Sequence, residues 1–155
     1  MRNNKRPRDR DSSVGEKTGL LTHDVKISPE KFKPLFSLEY ITVDDYDMKA
    51  CNKEEKAIFF DAIYKRSGLT WGQIRQSNHE DLGRELLQND ELCKRLRKKA
   101  KKPLTDDVEL MIFRARNSRP PMRIVGHRDG QIFYILFLDP KGTLYSHDRN
   151  RKSFP

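Results

Sequence analysis

Cysteine is scarce in this chain, with only Cys51 and Cys93. They form no CxxC pair and have no histidine close by in sequence. That excludes a disulfide scaffold and argues against zinc, so both are expected to be reduced, ordinary thiols. Long apolar runs are also missing. No stretch reaches the roughly 18 residues of a membrane span, no basic amphipathic helix carries a Trp/Phe face, and the N-terminal segment lacks a signal-peptide apolar region. A cytoplasmic protein with no membrane role is expected. The signatures of a phosphate-binding loop, a dinucleotide fold, a zinc protease and a nucleophile elbow are all absent. Serine, histidine and acid are too scattered for a hydrolytic triad. No metal or cofactor is expected.

Apolar residues are few as well, at 35%, and charged residues equal them at 35%. That is below the usual apolar share of a globular domain, so part of the 155-residue chain is expected to lie outside the core. What the chain does have is positive charge: 32 Lys+Arg against 23 Asp+Glu give a formal net charge of +9. Such an excess draws polyanions by releasing counterions from their phosphates.

Residues 1–30 show no apolar period and read as a disordered basic arm. A single domain is expected over residues 31–148, with a loose tail at 149–155. Within it, Leu35–Ile41 suits a first strand. The acidic run Asp44-Asp45-Tyr46-Asp47 lacks calcium-loop spacing and reads as a solvated turn. Asn52 is a good N-cap for a helix reaching about Arg66, with Ile58, Phe59, Ala62 and Ile63 as its apolar stripe and Gly68 as its stop. Thr70 caps a short helix from Trp71 to about Ser77, which places Trp71 and Ile74 in the core. A further helical stretch is expected over roughly Asp81–Leu87.

The period then changes. Val108 to Arg116 reads as a strand with apolar contacts on both sides. Met122–Arg128 and Gln131–Leu138 flank Asp129-Gly130, the signature of a hairpin with a type I′ turn. In that register Gly126 faces Phe133, whose ring would cover the bare backbone, and Ile132–Leu138 is the central strand. Asp139-Pro140-Lys141-Gly142 fits a β-turn, and Thr143–His147 a short edge strand. The expected fold is α+β: an N-terminal strand, two or three helices, then a three- to four-stranded antiparallel sheet.

Two sets of residues carry candidate chemistry. On an expected helix segment over residues 94–102, Lys94, Arg95, Arg97, Lys98, Lys99, Lys101 and Lys102 place seven cations in nine positions, closed by Pro103. Like charges at helical spacing repel, so such a cluster costs stability unless it meets a polyanion. RNA, free or ribosome-associated, is the partner this predicts. The second set lies near the C-terminal sheet: Arg114, Arg116, Arg123, His127, Arg128, Tyr145 and His147. Metal-independent RNA cleavage needs only a base for the 2′-hydroxyl, an acid for the leaving oxygen and cations for the phosphate. Arg114, Arg128, Tyr145 and His147 are the four residues that fit those roles. Each also has an ordinary reading, as a strand end, a turn residue, a packed ring or a surface histidine. His79, in Ser-Asn-His-Glu-Asp-Leu-Gly, reads as the decoration of a loop.

The stretch Leu69-Thr70-Trp71-Gly72-Gln73-Ile74-Arg75-Gln76-Ser77, with Leu82-Gly83-Arg84-Glu85, resembles a group of small uncharacterised bacterial proteins. The blocks Pro121–Arg128, Ile132-Phe133-Tyr134, Leu138-Asp139 and Leu144-Tyr145-Ser146-His147 are similar to that group too. In architecture the chain looks like RelE/ParE-like toxins of toxin–antitoxin modules. That resemblance implies an mRNA endoribonuclease, ribosome-dependent or free, or else a gyrase poison, held in check by an antitoxin or regulatory protein partner. The competing expectation is a non-catalytic module that binds nucleic acid or an acidic protein, as antitoxin-like or defence and counter-defence regulators do.

Overall fold

The structure is a computed structural model, and it describes residues 27–43, 45–116 and 119–144. The fold is α+β, built on one five-stranded mixed sheet. Its strands are β1 (Leu35–Ser37), β2 (Glu85–Leu86), β3 (Met111–Arg116), β4 (Met122–Asp129) and β5 (Ile132–Asp139), in the spatial order β1-β5-β4-β3-β2. β1 runs parallel to β5 and the remaining pairs are antiparallel. The apolar run 132–138 is therefore an interior strand, but β4 and not β5 stands at the centre.

Helices α1 (Lys53–Ser67) and α2 (Trp71–Gln76) cover one face. Both begin where their caps dictate. The side chain of Asn52 accepts from the Glu55 amide while the Glu55 carboxylate accepts from the Asn52 amide, and Thr70 and Gln73 repeat this box for α2. Phe59, Ala62, Trp71 and Ile74 pack there on Met111, Phe113, Ile124, Phe133 and Ile135. Helix α3 (Asp90–Lys99), capped by Asn89, covers the other face, where Cys93, Leu96 and Ala100 meet Ile112, Val125, Leu136 and Phe137. The sheet is thus buried on both sides, as its unbroken apolar runs require.

Four further expectations are corrected. The first strand stops at Ser37, not Ile41. Opposite this point β5 carries Leu136 as an extra residue between the pairs Val125–Phe137 and Gly126–Ile135. The chain turns at Ser37, whose hydroxyl accepts from the Glu39 amide, and rejoins β5 through the Thr42 amide on Leu136 O at 3.0 Å. The stretch 81–87 is not helical. A Cβ on Gly83 would lie 2.2 Å from Ser77 O, and the carbonyls of Asp81 and Leu82 are taken by the Arg66 guanidinium. Glu85 and Leu86 pair with Ile112 and Met111 instead.

The hairpin register is the third correction. Asp129 pairs with Ile132, so the loop is Gly130-Gln131. Gly130 has φ +57°, and among the described residues no non-glycine residue has positive φ. Type I′ is therefore excluded, and the glycine occupies the first central position as in a type II′ turn. Gly126 consequently pairs with Ile135. Phe133 still covers it from the diagonal, for a Cβ on Gly126 would meet its ring at 2.7 Å. The fourth concerns the basic segment, because α3 ends at Lys99 and leaves Lys101 and Lys102 beyond it.

The expected boundary after residue 30 falls inside a short turn, Pro29–Lys31, that packs on the domain. There the Phe32 carbonyl accepts from the Trp71 amide at 2.9 Å. In the acidic loop, Asp47 is buried and accepts from the amides of Lys49 and Ala50. Residues 1–26 and 145–155 lie outside the described residues, and with them the expected arm, most of the last strand and the tail.

Candidate nucleic-acid interface

Arginine and lysine serve different ends in this fold. Arg66 is buried at 1% exposure. Its guanidinium donates to the carbonyls of Ala62, Asp81, Leu82 and Arg114 at 2.8–3.1 Å and lies over the Phe113 ring. Burial lowers its pKa to about 10, which still leaves it a cation at neutral pH. Sequence reading missed this residue, because a lysine–arginine helix terminus looks like ordinary dipole pairing.

Arg114 and Arg128 do not share a site. Arg114 pairs across the sheet with Arg123, and Arg128 lies five residues further along β4, roughly 17 Å at the usual rise per residue. Each is already neutralised. Arg114 faces Glu80 at 3.6 Å and Glu85 at 3.5 Å. Arg128 contacts Glu30 at 2.6 Å and stacks on Trp71 at 4.3 Å. The cavity beside Arg114 and Arg116 is lined by Asp61, Glu80 and Asp81. The groove beside Arg128 is lined by Glu30 and Glu109. In both, the carboxylates stand among cations, with Lys65 and Arg66 also lining the cavity and Arg84 the groove. Arg123 approaches the buried Asp139 carboxylate at 3.8 Å. Tyr145 and His147 lie outside the described residues.

The lysines of the basic segment are placed otherwise. Lys94, Lys98, Lys99, Lys101 and Lys102 are all exposed, and among the described residues none of them joins an ion pair. Arg97 differs, because its guanidinium donates twice to the Val108 carbonyl and holds the turn before β3. Arg95 is exposed on the same helix.

Aromatic rings flank these lysines on the α3 side of the sheet. His127 stacks on its cross-strand partner Tyr134, with centroids 5.2 Å apart and planes 19° apart. Tyr134 in turn meets Tyr40 at 5.1 Å. The ammonium of Lys102 lies 5.1 Å from the centroid of Tyr40, and that of Lys99 lies 5.0 Å from Tyr46. Lys101 donates to the Glu39 carbonyl at 3.1 Å. Burial lowers the pKa of His127, the nearby Lys102 charge adds to this, and Asp129 opposes it. Burial also raises both thiol pKa values, so Cys51 and Cys93 are poor nucleophiles.

Among the described residues no group of His, Cys, Asp and Glu could hold a metal ion, and no helix is long and apolar enough to cross a membrane. No protein-family model, curated protein or solved structure matches this chain.

Proposed function

We propose that this protein binds RNA through the lysines that close α3 and the tyrosines beside them. One observation carries the reading: Arg66, Arg97, Arg114, Arg123 and Arg128 are held by carboxylates or carbonyls, while five exposed lysines on one segment join no ion pair among the described residues. An uncompensated cluster of this kind raises the local potential and favours a ligand with regularly spaced negative charge. Half-buried rings within the cluster favour nucleic acid over a simple acidic peptide, because they add a surface for bases.

Cleavage is not part of the proposal. Of the four residues suited to it by type, the two described ones stand apart and are ion-paired.

The test is binding of an end-labelled single-stranded RNA at several salt concentrations, followed by a denaturing gel of the recovered RNA. Lys98→Glu, Lys99→Glu, Lys101→Glu and Lys102→Glu together are expected to abolish most of the affinity. For single strands each phosphate contact contributes about 0.7 to the slope of log K against log salt. Loss of up to four contacts therefore flattens the slope by as much as roughly 2.8. The recovered RNA is expected at full length. Unchanged affinity and slope would refute the lysine face as the site. Shortened RNA, lost in Arg128→Ala, would restore the cleavage reading.

A further inference from the structure

We infer that Tyr40 and Tyr46 are base-stacking positions, so that the ligand of this face is a single strand with unpaired bases and not a duplex. The inference rests on the RNA-binding reading above and deepens it. Both tyrosines are half-buried and pack against the α3-side core. Their rings are therefore fixed before any ligand arrives, and binding need not order them. The Tyr46 hydroxyl also lies 3.5 Å from the Thr143 hydroxyl, a further tie to the loop after β5. Tyr40 is backed by the Tyr134–His127 stack.

What covers the rings is a pair of ammonium groups on exposed side chains, Lys102 over Tyr40 and Lys99 over Tyr46. An exposed cation–π contact is weak compared with stacking of a nucleobase on the same ring. A base can therefore displace the ammonium, and the freed lysine remains beside the ring, where the phosphate of that same nucleotide must lie. Each Lys–Tyr pair then serves one nucleotide, with the ring under the base and the ammonium on the phosphate. A duplex cannot use this arrangement. Its bases are already stacked inside, and it presents only phosphates to the lysines.

The experiment compares a single-stranded RNA with the blunt duplex of the same length, against the full chain at fixed salt. Tyr40→Leu and Tyr46→Leu keep apolar bulk against the core; Tyr40→Phe and Tyr46→Phe keep the ring. Each leucine variant is expected to weaken single-strand binding about tenfold or more, the scale of one lost base stack. Duplex binding should remain as in wild type, and the phenylalanine variants should stay within about twofold of wild type for both ligands. The melting curve of each variant confirms that the fold is intact. Wild-type affinity in both leucine variants, or equal loss for single strand and duplex, overturns the inference. If the lysine reversals still abolish binding in that case, the lysine-face reading survives without the stacking positions. Absence of binding by wild type to either RNA overturns both.

Discussion

Replacing Arg66 by lysine keeps the charge and most of the stem but removes the planar fork that joins three parts of the fold. The guanidinium holds the carbonyls of Asp81 and Leu82 in the turn before β2 and that of Arg114 in β3. Its fourth acceptor, Ala62 O, belongs to α1 and keeps its helical backbone donor. A lysine ammonium in this pocket reaches one of the three outer carbonyls and leaves two without a donor. At about 1–1.5 kcal/mol for each, the loss is about 2–3 kcal/mol. For a domain of this size 1 kcal/mol moves the thermal midpoint by about 4 °C, so Arg66→Lys is expected to melt roughly 10 °C lower. Hydrogen exchange gives a local check, because the amide of Leu87, bound to Leu110 O at 2.9 Å, should lose protection along with the β2 edge. A midpoint within about 2 °C of wild type would show that water replaces the fork at little cost. The account of why residues 81–87 are not helical would then fail with it.

Two further perturbations test other parts of the structure. Gly126→Ala places a Cβ 2.2 Å from Tyr134 O and 2.7 Å from the Phe133 ring. It is expected to destabilise by on the order of 2–3 kcal/mol in a denaturant melt, and an unchanged midpoint would contradict the packing at the centre of the sheet. His127 has its pKa held below the ordinary 6.5 by burial, so below that pH the unfolded chain binds more protons than the folded one. Stability is then lost as pH falls below 6.5, and the difference between wild type and His127→Gln should shrink over that window. A difference independent of pH would show that the imidazole is not desolvated.

Capping chemistry made much of the fold legible in the sequence. Asn52 with Glu55 and Thr70 with Gln73 set the starts of α1 and α2 within one residue, and Trp71 and Ile74 are core residues as their spacing indicates. The errors fall where a distant residue overrides a local pattern. Leu82, Leu86 and Leu87 have helical spacing, but Arg66 and Gly83 fix another conformation. β1 is cut short by the bulge at Leu136, which belongs to a strand far along the chain.

The candidate site divides in the same way. The lysine run is visible from local charge density alone. Tyr40 and Tyr46 were not legible as its companions, because only the backbone bonds of Thr42 and Tyr46 to β5 bring this part of the chain under α3. Conversely, Arg114 and Arg128 have the right chemistry for phosphate, and only the strand register shows that they sit apart.

The most direct test of the central claim is a map of amide chemical shifts in the full-length protein as single-stranded RNA is added. The lysine-face account predicts that the largest changes cluster at Lys98–Lys102, at Glu39–Tyr46 and at His127 and Tyr134, with little change around Glu80, Arg114 and Glu30. Changes centred on Arg114 or Arg128, with the α3 terminus unmoved, would contradict it.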